Sequence, residues 1–223
     1  MNFYSIPSTL DSEIGALEAQ IQKYEKKEIT AKELRAWRVP FGVYEQRTKD
    51  TFMVRIRCSA GCVTPEQLKA VAQLSSRYGS DEIHVTTRQA LQIHDVALKD
   101  VVEIIRQLKA IGLATRGGGG NTVRNIMASW DAGIAQDEPF DVLPYALSLT
   151  SRLISEPDSW ILPRKYKISF SNTEKDNAMA TFNDLGFISH IKNDVKGFRV
   201  YVAGGMGSKP QVGNLLHDFI PTG

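Results

Sequence analysis

Cysteine is scarce in this 223-residue chain: Cys58 and Cys62 are the only two. So small a set excludes a disulfide-stapled scaffold, and a pair lying across a strand end and the turn after it is poorly spaced for a bridge. Long apolar runs are missing as well. No stretch approaches the ~18 apolar residues of a spanning helix. The opening MNFYSIPSTLDSE lacks a basic start followed by an apolar core, so no secretory leader is expected. Excess charge is lacking too. With 27 basic and 25 acidic side chains the formal net charge is +2, which gives no ground for a nucleic-acid or membrane-surface partner. Neither G-x-G-x-x-G nor a P-loop lysine occurs, so no nucleotide, flavin or nicotinamide motif is present. The expected compartment is the reducing cytoplasm. What remains is an ordinary globular composition, 42% hydrophobic and 23% charged, in a chain long enough for one large domain or two small ones.

The periodicity predicts an α+β protein. Leu10, Ile14, Leu17 and Ile21 mark one stripe of a helix over 9–26, and TAKELRAW reads as a second helix with Thr30 and Glu33 as capping box. RVPFGVYEQR, punctuated by Pro40 and Gly42, reads as an extended arm. TFMVRIRC alternates as a half-buried strand. Thr64-Pro65-Glu66-Gln67 opens a helix running to Tyr78 and Gly79. EIHVTT and ALQIH are strands, and Val101, Ile104, Ile105, Leu108 and Ile111 trace a helix face. Strand–helix–strand–strand–helix is a split βαβ, ferredoxin-like order. Beyond the glycines, helices are expected from near Thr122, over 144–155, over 174–184 and at the C-terminus. Strands are expected at YKISFSN, 186–191 and 197–203. That makes a second mixed α+β unit of similar element order. The organisation expected is helices and arm over 1–47, a ferredoxin-like half domain over 48–115 and a second α+β domain over 116–223.

Cations and glycines carry the chemical signal. Residues two apart on a strand share a face, so Arg55 and Arg57 point together, as do Lys165 and Lys167, and Gln92 and His94, with Arg88 just before. Gly117–Gly120 precedes Asn121, Arg124 and Asn125. Taken singly, each has a plain reading: a solvated strand face, a structural histidine, a flexible loop.

The ordered set is more specific. RVPFGVYEQR, FMVRIRCSAG, TTRQALQIH, GGGGNTVRN, LPRKYKISFS and GFRVYVAGGMG closely resemble the N-terminal half of the sirohaem-dependent sulfite and nitrite reductases, from about Arg38 onward. The resemblance implies six-electron reduction of sulfite to sulfide or of nitrite to ammonia. It places the catalytic, anion-binding cations at Arg57, Arg124, Lys165 and Lys167. Arg55, Arg88, Gln89, Gln92, His94, Gly119, Gly120, Asn121 and Asn125 fall in its cofactor-binding motifs. The implied cofactors are sirohaem and a [4Fe–4S] cluster, and the implied electron donor is a ferredoxin or a separate flavoprotein. The glycines at 117–120 and 204–207 would let backbone and its N–H groups approach the macrocycle.

A [4Fe–4S] cluster takes four thiolates and this chain has two cysteines, outside the family's cluster motifs. The chain alone is therefore expected to be an incomplete, inactive part, needing the C-terminal half or a partner subunit. SAGC and four consecutive glycines also depart from the family's usual turns. The alternatives are a non-catalytic tetrapyrrole-binding or assembly module on the same scaffold, and a tetrapyrrole-modifying oxygenase of the same superfamily.

Overall fold

The computed structural model describes residues 2–222. The N-terminal stripe forms helix α1 (Leu10–Glu25), with all four stripe residues buried. Helix α2 (Ala31–Arg38) starts at the anticipated capping box: the Thr30 hydroxyl accepts from the Glu33 amide at 3.3 Å, and the Glu33 carboxylate accepts from the Thr30 amide at 2.7 Å. The arm after it is more regular than its punctuation suggests. Gly42 turns the chain at φ +75, and Val43–Glu45 forms strand β1, antiparallel to β2 (Thr51–Arg57).

Helix α3 (Pro65–Tyr78), strands β3 (Ile83–Val85) and β4 (Ala90–Ala97), and helix α4 (Val101–Ala110) follow. The first sheet is ordered β1-β2-β4-β3 with antiparallel neighbours throughout. This is the ferredoxin-like order, completed at one edge by the arm. One face is apolar. Val54, Ile56 and Ile93 pack with Leu17, Val71, Ile104, Ile105 and Leu108 in a single core. Each such side chain contributes about 1.5–3 kcal/mol relative to exposure.

The opposite face pairs Arg55 with Gln92 and Arg57 with Ala90 across β2 and β4. A half-buried strand should leave this face in water. Instead Arg57 is only 2% exposed, because the chain after the glycine run packs over it.

The second sheet comprises β5 (Met127–Ala128), β6 (Ile168–Ser171), β7 (Leu185–Lys192), β8 (Val195–Val202) and β9 (Asn214–Pro221), with helix α5 (Leu143–Ser155). Strands β5, β6 and β7 run parallel, and β8 and β9 continue antiparallel. Phe170 stacks on Phe187 at 4.5 Å and both meet Phe198 edge-on, filling the second core.

Three expected helices are corrected here. Residues near Thr122 are extended: the Tyr166 amide donates to Thr122 and the Arg124 amide to Tyr166, a parallel bridge that leads into β6. Over 174–184 only a short 3-10 turn forms, at Ala180–Phe182. The Asp176 carboxylate takes the amides of Ala180 and Thr181, and the Asn183 amide donates to the Met179 carbonyl, so side chains outcompete helical bonding. The C-terminal segment is β9, drawn into extension by pairing with β8. The second unit thus has four strands in a row after α5 and does not repeat the element order of the first. Among the described residues no helix is long and apolar enough to cross a membrane.

Candidate functional site

A cavity of about 190 Å³ lies where the arginine face of the first sheet meets the chain leading into the second. Six cations line it: Arg55, Arg57, Arg88, Arg124, Lys165 and Lys167. They come from β2, the β3–β4 turn, the segment after the glycines and the segment before β6. Asn125 also lines it, and among the described residues none of the lining is acidic. The alternation argument holds for the lysines although β6 begins only at Ile168, because the bridge to Thr122–Arg124 keeps residues 165–167 extended.

The glycine run is not a linker. At Gly117, φ is +78, and an added Cβ would strike the Arg57 guanidinium and approach the Trp160 ring at 2.7 Å. At Gly119 it would strike the Val39 carbonyl and come within 2.6 Å of the Tyr44 hydroxyl. The expectation that these amides serve a ligand is corrected for three of the four. Gly117, Gly118 and Gly120 donate to Pro40 (2.7 Å), Thr115 (2.8 Å) and the Tyr44 hydroxyl (3.0 Å). The loop's carbonyls matter more. Gly118 accepts from Arg55 Nη1 at 3.1 Å and Arg124 Nη2 at 3.0 Å, and Gly120 accepts from Arg124 Nη1 at 3.4 Å. The loop therefore orients guanidiniums.

Arg57 donates to the carbonyls of Val123 (2.8 Å) and Arg124 (3.5 Å), and its Nε is buried without a partner. Arg88 donates through Nη2 to Asn183 Oδ1 at 2.9 Å, and its Nη1 is likewise buried and unpartnered. Lys167 pairs with Asp184 at 3.3 Å. Burial, with Arg124 adding repulsion, lowers both Arg57 and Arg88 to about 10, which leaves them charged at neutral pH. Arg55 is lowered by burial and then by Arg124. So many like charges with one nearby carboxylate and two idle buried donors suit an anion. At roughly 30 Å³ per water, the cavity admits a small oxyanion or one carboxylate group.

The remaining sequence-predicted residues lie off this cavity. Gln92, with its oxygen toward β2, accepts from Arg55 Nη2 at 2.8 Å and Nε at 3.0 Å. His94 contacts Gln92 and Gln46 at 3.1 and 3.2 Å, and burial and then His84 lower its pKa. Gln89 bonds to Ala128, Gly119 and Gly120 pack on Tyr44, and Asn121 donates to the Pro163 carbonyl at 3.3 Å. Of the GGMG turn, Gly204 packs on Thr181, and none of its residues lines the cavity. Sequence reasoning missed Thr86 and Thr87, which line the cavity, and Asn183 and Asp184, which hold Arg88 and Lys167. The Thr-Thr step before Arg88 was a readable signal; Asn183 and Asp184 had none, lying in an expected helix.

The donor chemistry fits a carboxylate-fringed macrocycle and its oxyanion substrate. It does not fit a resident cluster. Burial raises the Cys58 thiol to about 11, away from the thiolate form, and raises Cys62 as well. Among the described residues no three His, Cys, Asp or Glu side chains are grouped to hold a metal ion.

Fold and site together define a two-sheet α+β protein with a ferredoxin-like half domain and a cationic seam. Residues 44–111 match the nitrite/sulfite reductase ferredoxin-like half domain, and residues 119–223 match the nitrite and sulphite reductase 4Fe-4S domain. The chain belongs to the nitrite and sulfite reductase family. It is 32% identical over 197 residues to the assimilatory ferredoxin-dependent nitrite reductase of Haloferax mediterranei, covering 81% of this chain and 34% of that protein. It is 30% identical over 174 residues to a sulfite reductase [ferredoxin] of Mycobacterium tuberculosis, covering 77% of this chain and 31% of that one. The solved structure of the Mycobacterium tuberculosis NirA protein superposes with a TM-score of 0.78 at 25% identity, covering 94% of this chain and 44% of that one. The chain spans about a third of the length of the curated relatives it matches.

Proposed function

We propose that this chain is the N-terminal portion of a sirohaem-dependent reductase acting on sulfite or nitrite in the cytoplasm. The observation that carries the reading is the convergence of six cations from four segments on one cavity with no acidic lining. Nitrite takes six electrons and eight protons to give ammonium and two waters; hydrogen sulfite takes six electrons and six protons to give hydrosulfide and three waters. Sirohaem and a [4Fe–4S] cluster, when bound, supply these electrons, drawn from a ferredoxin or a separate flavoprotein. Cluster thiolates must come from polypeptide outside this sequence, either the C-terminal half of the same chain or a partner subunit.

The chain's own residues bind and orient. Arg57 Nε and Arg88 Nη1 are free to donate, and Arg55 and Arg124 add charge while locked onto loop carbonyls. The compact ammonium groups of Lys165 and Lys167 face the same cavity and are the groups assigned to pass protons to the bound oxyanion. Asp184 keeps the Lys167 ammonium in place.

The test is the complete protein, assayed for sirohaem absorbance and viologen-driven reduction of both anions. Lys165→Ala and Lys167→Ala should cut reduction more than cofactor retention, and Arg88→Ala the reverse. A preparation free of tetrapyrrole ends the reading. Tetrapyrrole without reduction identifies a non-catalytic binding module, and a chemically altered ring identifies a ring-modifying enzyme.

A further inference from the structure

Gln89 does not line the cavity, yet it is tied to it twice. It sits at φ +50 in the β3–β4 turn, directly after Arg88. Its carboxamide imitates a neighbouring strand: Nε2 donates to the Ala128 carbonyl at 2.7 Å, and Oε1 accepts the Ala128 amide at 3.1 Å. Ala128 lies on β5, the edge strand of the second sheet, and these are the groups that β6 leaves unpaired. Gly61 gives the amide room, since a Cβ there would lie 3.2 Å from Gln89 Cδ.

Asn125 closes the same seam from the other side. Its Nδ2 faces three carbonyls of the first unit: Cys58 at 2.8 Å, Arg88 at 2.9 Å and Gln89 at 3.0 Å. Those carbonyls adjoin or belong to Arg57 and Arg88, and Asn125 itself follows Arg124. Two amides therefore fix the main chain beneath three cavity cations.

From this we infer that Gln89 is a positioning residue: with Asn125 it pins the Arg88 turn to the second sheet, setting the spacing of Arg88 from Arg57 and Arg124. This inference rests on the anion-site reading above and changes one part of it. Gln89 acts through Arg88 rather than by touching cofactor or substrate.

A double-mutant cycle in the complete protein tests it, with sulfite binding followed by calorimetry and referred to the sirohaem-bearing fraction of each variant, because Arg88→Ala also lowers cofactor retention. Gln89→Met keeps the side-chain length and removes both bonds, so sulfite Kd should rise about tenfold. In an Arg88→Ala background the same change should shift Kd by less than about twofold. Equal loss in both backgrounds, or no loss in the first, would overturn the inference. If the unaltered protein binds neither sulfite nor nitrite, the anion-site reading fails and hydrogen exchange judges the clamp alone. The Ala128 amide should then exchange about 100-fold faster in Gln89→Met while Val54 and Ile93 stay protected. Unchanged protection at Ala128 would refute it, and loss at all three amides would mark a general folding defect and count against it too.

Discussion

Arg57 donates through Nη1 to the main-chain carbonyl of Arg124 at 3.5 Å, so one cavity cation holds the backbone of the next. Together with its 2.8 Å bond to the Val123 carbonyl, this makes Arg57 both a charge and a structural tie. Arg57→Lys should keep the charge but lose the fork geometry that reaches two carbonyls. Its stability should fall by about 1–3 kcal/mol, since buried carbonyls are left unpaired. Urea unfolding of both proteins measures this, and equal midpoints would contradict it.

Mutual repulsion among the six cations should make the protein respond to anions. Sulfite at about a hundredfold excess over its Kd should stabilise the fold by about 2.7 kcal/mol. Thermal melts should show a rise in Tm that Lys165→Met diminishes. An anion-independent Tm would remove the cavity's claim to be a site.

Gly119 and Gly205 should differ sharply as positions for alanine. Gly119→Ala drives a methyl into the Val39 carbonyl and the Tyr44 hydroxyl, whereas a Cβ at Gly205 meets nothing within 4 Å. The first should cost about 1–3 kcal/mol and loosen Arg124 with the loop. The second should be near neutral. Denaturant midpoints decide, and a tolerated Gly119→Ala would mean the loop is not packed tightly against Val39 and Tyr44.

His94 predicts a pH dependence. Its pKa is lowered in the fold, chiefly by burial and then by His84, so the unfolded chain takes up the proton more readily. Stability should therefore be unaffected above the unfolded value of about 6.5 and fall as pH drops below it. His94→Gln should flatten that slope, as measured by chemical denaturation from neutral to mildly acid pH.

The thiols should react in order. Cys58 is buried with its pKa raised to about 11, whereas Cys62 is half-exposed. Iodoacetamide at pH 8 should label Cys62 and reach Cys58 only on unfolding, as read by mass spectrometry. Early labelling of Cys58 would contradict its place in the core.

Local signals were read well where the segment is its own context. Thr30 with Glu33 and Thr64 with Gln67 cap their helices by bonds spanning three residues, so sequence neighbours suffice. The stripe from Leu10 to Ile21 and the cations two apart on extended chain are equally local. Two of the three expected helices failed for the opposite reason: Thr122–Arg124 and Asn214–Pro221 take their conformation from Tyr166 and from β8. Residues 174–184 failed locally, because Asp176 and Asn183 bond to main chain four or five residues away and displace the helical pattern.

Periodicity and capping, which are properties of neighbouring residues, were enough for the helices and the β2, β3 and β4 strands of the first unit, and all six cavity cations were legible through strand-face alternation together with the family resemblance. Packing of the second sheet on the first buries Arg57, turns the glycine carbonyls onto arginines and sets Gln89 against a strand edge. Those outcomes depend on groups far apart along the chain, which meet only when the two sheets pack.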